Sequence, residues 1–231
     1  MTYSELVNNI LGQISKEPEV IKEITFWKKN KDRLGYETAE AFSKVLGTAT
    51  AKHLKPLAEQ MQPEEIKQVY QHVSDLMIKY CEDATANITG RAGLKFIPSV
   101  KVDVQSDIND MLDNLVTRMY DTDSWEDVKF LANENSARSI TRKTTTSHMK
   151  YTARSQQGAG IKVLISRTGG AECCDYCAGL TGTFTSLSDL PDNFWSVHRN
   201  CTCSFHYNVG KTNNIVTFST DEKGRITKET N

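Results

Sequence analysis

The sequence predicts an α+β chain: a mainly α-helical N-terminal region, then a small β-rich C-terminal module stapled through its cysteines. Three observations carry this. Apolar residues recur at helical spacing through most of the first half of the chain. Five of the six cysteines crowd between Cys173 and Cys203. The β-branched run Ile161-Lys-Val-Leu-Ile-Ser166 stands just before them.

The helices follow in order. Thr2 with Glu5 fits a capping box, and Leu6, Ile10 and Ile14 fall four apart, with Val7 and Leu11 beside them. Pro18 suits the first turn of a second helix, which turns Val20, Ile21, Ile24 and Trp27 to a core and ends near Gly35. A third runs over about 38–60 with Ala41, Phe42, Val45, Leu46 and Ala49 inward, and Pro56 kinks or ends it. Gln62-Pro63-Glu64-Glu65 places acids at the positive end of a fourth helix. Its stripe is Ile66, Val69, Tyr70, Val73, Leu76, Met77 and Tyr80, with Cys81 in the same core, and Gly90 or Gly93 stops it. The alternation and Pro98 of residues 95–104 predict an extended connector or edge strand. Ser106 then caps a helix carrying Ile108, Met111, Leu112, Leu115, Val116 and Met119, and a short helix from Ser124 carries Trp125, Val128 and Leu131. An individual helix pair has a thin apolar stripe, so the N-terminal half is expected to gain much of its order from neighbouring chains.

The C-terminal half differs in composition. Residues 1–134 hold 16 Lys/Arg against 22 Asp/Glu, and residues 135–231 hold 12 against 7. Seven basic residues and no acidic one lie between Asn135 and Ala171. A helix over about 137–157 puts Arg138, Arg142, Lys150 and Arg154 on one four-residue ladder, a candidate nucleic-acid-binding stripe for phosphates; a solvated face is the plain alternative. Gly158 to Gly160 ends it, 161–166 is the clearest strand, and 183–185 and 203–207 are short strands. Residues 215–219 and 225–227 form a hairpin. The divisions are 1–94, a helical region; 95–134, connector and helices; 135–210, the cysteine module; and 211–231, hairpin and tail. No apolar run reaches the ~20 residues of a membrane span, and the first five residues do not read as a secretion signal.

The cysteine stretch carries the chemistry. Cys174 and Cys177 form C-x2-C; His198 and Cys201 form H-x2-C; Cys203 adds C-x-C. Such turns direct thiolate and imidazole at one tetrahedral ion, so the expected cofactor is a structural Zn2+. The preferred ligands are Cys174, Cys177, His198 and Cys201, with Cys203 replacing either of the last two as the alternative. Disulfides such as Cys174–Cys201 with Cys177–Cys203, or buried thiols, remain open. A closed four-ligand site keeps no position for water, so the module is read as zinc-stapled rather than catalytic. No Walker loop, G-x-S-x-G or zinc-deaminase signature is present.

Residues 137–203 in order, A-R-S-I-T-R-K-T-T-T-S, a helix, G-I-K-V-L-I-S, C-x2-C-A-G-L-T-G-T-F and H-R-N-C-T-C, resemble the C-terminal domain of the phage Mu F-type minor head proteins, the phage head morphogenesis family. The resemblance covers under a third of the chain. It implies a virion structural protein in several copies, made in the host cytoplasm and seated with the portal protein and other head proteins. It also implies a part in head morphogenesis and in genome packaging or ejection, next to packaged double-stranded DNA. Arg142-Lys143-Thr144 stands where the family has Arg-Thr-Glu, Arg199 where it has Pro, and Thr202 where it often has Arg. The competing readings are a zinc-braced nuclease or toxin using His148 or His206, and a zinc-finger DNA-binding protein, whose C2H2 spacing is not met.

Overall fold

The structure, a computed structural model, describes residues 3–95, 97–121, 132–169, 174–197, 203–210, 216–220 and 226–230. It is mostly helical with a small antiparallel sheet near the C-terminus, an α+β arrangement. The helices are α1 (Tyr3–Ile14), α2 (Pro18–Lys29), α3 (Tyr36–Leu54), α4 (Pro63–Arg91), α5 (Lys101–Tyr120) and α6 (Glu134–Gly158). β1 (Lys162–Thr168), a one-turn helix α7 (Asp175–Ala178), β2 (Gly182–Phe184) and β3 (Ser204–Gly210) follow. β4 (Val216–Thr220) and β5 (Ile226–Thr230) pair as a hairpin. The short helix expected from Ser124 lies outside the described residues.

Local chemistry sets the boundaries. Pro56 falls in a 3-10 segment, Lys55–Gln60, that ends α3. Glu65 accepts the backbone N–H of Gln62 at 2.7 Å and opens α4. Gly93, at φ 67°, closes it: its N–H bonds Gly90, and that of Leu94 bonds Thr89. Gly160, at φ 76°, repeats this Schellman ending on α6, with Gly160 bonding Gln157 and Ile161 bonding Gln156. The chain passes from that turn directly into β1.

Trp27, Phe42 and Tyr80 cluster between α2, α3 and α4, with ring centroids 5.0–6.4 Å apart, and the Trp27 indole donates to Asp83 at 2.8 Å. Val7, Ile10, Ile14 and Val20 are all buried. The N-terminal helices thus bury a continuous core within one chain, fuller than the thin stripes of the sequence imply.

Two expectations are corrected. Residues 101–104 are not extended but form the first turn of α5. Val104 is buried in line with Ile108 and Leu112, while Val102 is 78% exposed. The valine alternation mimics a strand, but the i+4 stripe that extends it secures burial, and packing outweighs weak propensity. The second concerns α6, which lies among α3, α4 and α5 rather than on the surface. It buries Ala137, Ile140, Met149 and Ala153 along with Thr141, Thr144, Thr145, Thr146, Ser147 and Thr152. The hydroxyls of Thr141, Thr144, Thr145 and Thr146 each donate to the carbonyl four residues earlier, so they are buried without losing a partner.

These small side chains let α3 approach closely. A Cβ on Gly47 would stand 2.7 Å from the Cα of Arg138, backbone that cannot swing aside. Gly47→Ala should therefore destabilise the protein by about 1–2 kcal/mol, although alanine is the better helix former by ~1 kcal/mol. Urea unfolding checks this, and a more stable variant would show that the two helices are looser.

Candidate metal centre and its arginine braces

β1 is the central strand of the sheet, antiparallel to β2 through Ile165–Phe184 and to β3 through Ile165–Tyr207 and Arg167–Phe205. Its inward row is Val163, Ile165 and Arg167. A cationic side chain thus occupies a core position, and Arg167 is only 1% exposed. It donates from Nη1 to the Phe194 carbonyl at 2.5 Å and from Nη2 to the Cys177 Sγ at 3.1 Å. Its guanidinium also lies 4.9 Å from the Phe205 ring centroid. Phe194, Phe184, Trp195 and Phe205 form the small aromatic core of the module.

The described cysteines flank this core. Cys174 is exposed at the N-cap of α7, and Cys177, in the same turn, is buried. Cys203 is buried just before β3. His198 and Cys201 lie outside the described residues, and so does Cys173. Among the described residues no three His, Cys, Asp or Glu side chains gather as a metal-binding group. The donors described are thiols, two of them in a nearly dry aromatic setting, and their chemistry fits zinc. The expected result is one zinc per chain, read by elemental analysis of protein purified in reducing buffer. Cys177→Ser should release it and unfold residues 161–210, while far-UV circular dichroism keeps most of its helical signal. A zinc-free protein that still melts cooperatively would leave Cys177 and Cys203 as plain core residues.

Arg142 is a correction to the basic stripe. It is 7% exposed, like Glu40 on α3, and its Nη2 lies 3.0 Å from Glu40 Oε1. The same nitrogen donates to the carbonyl of Cys203, and the guanidinium sits 6.0 Å from the Phe205 ring centroid. Burial pushes the Glu40 carboxyl up, and Arg142, then Lys44 and His206, pull it back. The middle of α6 is enclosed on all faces, with Ile140 to Arg142 and Thr144 to Met149 buried in succession, so the second member of the ladder enters the core while Arg138 and Arg154, nearer the ends, stay exposed. Arg138 approaches Glu134 at 3.5 Å, and Lys150 lies 3.7 Å from Asp107 and 4.8 Å from the Tyr151 ring centroid. These side chains do not form one phosphate-facing stripe.

The two histidines of the enzymatic reading part company. His148 is buried in α6, with Nδ1 2.8 Å from the Tyr36 hydroxyl, and burial pushes its imidazole down to about 3. His206 on β3 is partly exposed. Its Nδ1 lies 3.1 Å from Glu37 Oε1 and its Nε2 3.4 Å from Thr168 Oγ1, and the bond to Glu37 holds its pKa above the usual value.

Sequence reasoning missed Glu40 and Arg167. Arg167 was legible as the next inward position of the strand alternation. Glu40, 102 positions from Arg142, left no signal. Comparison with family models, curated proteins and solved structures finds no match to this chain.

Proposed function

We propose that this chain is a minor head protein of a tailed phage, of the Mu F type, that assembles on the portal in several copies. In this reading it acts in head morphogenesis and in genome packaging or delivery, without catalysis. Its home is the virion, after assembly in the host cytoplasm, and its zinc is structural. The observation that carries the reading is the order helix, strand, C-x2-C, loop, H-R-N-C-T-C over residues 137–203. Two features of the fold support it. The cysteine-bearing segments frame a small sheet, buried Arg142 ties its Cys203 end to the helical body, and buried Arg167 braces it from within. Packaged DNA enters the proposal only through the exposed Arg138 and Arg154, because Arg142 is committed to Glu40.

Co-expression with the portal protein of the same genome tests this, with co-elution as one large complex the expected result. A second reading, hydrolysis at His206, is favoured by one observation. A carboxylate holds one ring nitrogen of His206 and a hydroxyl lies near the other, as a general base requires. His148 is too deeply buried for that role. A chain that stays monomeric beside the portal, and cleaves nucleic acid in a way lost in His206→Ala, would replace the first reading with the second.

A further inference from the structure

We propose that Arg167 is the positioning residue of the cysteine module: its guanidinium fixes the orientation of the Cys177 sulfur, aimed for metal. This rests on the zinc reading of the module.

The geometry gives Arg167 few choices. It emerges from the centre of the sheet, directly across from Phe205, and the ring flanks its guanidinium. The Phe194 carbonyl fixes one terminal nitrogen. The other is thereby delivered to Cys177 Sγ at 3.1 Å. Held at both ends, the guanidinium leaves the Cys177 sulfur one direction in which to present its remaining lone pairs. The thiolate, not the thiol, binds metal. An N–H directed at a ligating sulfur fixes the side-chain orientation. Arg142 supports the other cysteine arm differently, by holding the Cys203 backbone carbonyl.

The test uses the full-length protein, stripped of metal and titrated with Co2+ in reducing buffer. Wild type, Arg167→Met and Arg167→Lys are compared. The readouts are the thiolate-to-cobalt charge-transfer band and Zn2+ affinity by chelator competition. Wild type should take up one Co2+ with the band. Arg167→Met should keep its helical circular dichroism and lose about 10–100-fold in affinity, with a weakened or shifted band. Arg167→Lys should fall between them, because one ammonium cannot reproduce the planar fork that reaches both the Phe194 carbonyl and the sulfur. If Arg167→Met does not fold, Arg167→Lys decides, with a severalfold loss expected. A folded variant with wild-type affinity and an unchanged band overturns the role of Arg167 while the zinc reading stands. Wild type that takes up no metal overturns both.

Discussion

Arg142→Ala should lose about 3–5 kcal/mol of stability, a large share of the ~5–15 kcal/mol that holds a typical domain folded. The loss has three sources. Glu40 would be left buried without its nearest cation, and burial already works against its charged form. The Cys203 carbonyl would lose a charge-assisted donor. A space would open beside Phe205, where the guanidinium now lies. Glu40→Leu combined with Arg142→Met removes both charges and keeps much of the volume. That pair should recover most of the loss, since a buried ion pair is worth little net against a well-packed apolar pair. Chemical unfolding of the wild type, both single variants and the double variant measures the coupling. An Arg142→Ala variant within about 0.5 kcal/mol of wild type, the scale of ordinary surface substitutions, would mean that the arginine is solvated and the stripe reading should return.

This pair shows where sequence reasoning stops. The helices of the first half were legible because their signals are local: a proline at a first turn, a capping glutamate, apolar residues four apart. The α4 stripe was read almost residue by residue, and Cys81 is buried there as expected. The burial of α6 was not legible. Its run Thr144-Thr-Thr-Ser147 looks polar, and a polar run carries no burial signal of its own. A threonine that bonds its own helix carries its partner into the core, so its polarity does not say which way it faces. Arg142 was misread for the same reason, since its acid lies on α3, far away in sequence.

In the cysteine module the spacing suggests thiolate and imidazole as ligands, and the strand before it was placed correctly at 161–166 within a strand that runs to Thr168. Its alternation continues to Arg167, and following it would have turned that residue inward beside the cysteines. The partner of His206 was out of reach in the same way as that of Arg142. Glu37 opens α3 and meets β3 only through the tertiary fold.

His148 supplies the second large effect, a loss of stability in acid. Its ring is buried with Tyr36, Thr85 and Thr152 around the Tyr36 hydroxyl, and among the described residues its Nε2 has no hydrogen-bond partner. Neutral imidazole tolerates that site; imidazolium would be a buried cation, which is why burial pushes its pKa to about 3. In the unfolded chain the ring takes up its proton near pH 6.5. Between these values the unfolded state binds one more proton than the folded state, so stability falls as the pH falls. The slope is roughly 1.4 kcal/mol per pH unit well below pH 6.5, which amounts to about 2 kcal/mol between pH 6.5 and roughly pH 4.5. His206 works in the opposite sense. Its raised pKa adds stability that is fully present below about pH 6.5 and lost as the pH rises through the folded value, so it cannot produce the acid loss. Glu17 and Asp107, whose pKa values are lowered, add their own loss at lower pH, below the ordinary carboxylate range. His148→Gln separates the contributions, because glutamine can accept from the Tyr36 hydroxyl but does not titrate. Unfolding in urea at several pH values should give the wild type the steeper decline, by about one proton, with the two curves converging above pH 7. Parallel curves down to pH 4.5 would mean that water reaches the ring and that the core around α6 is open.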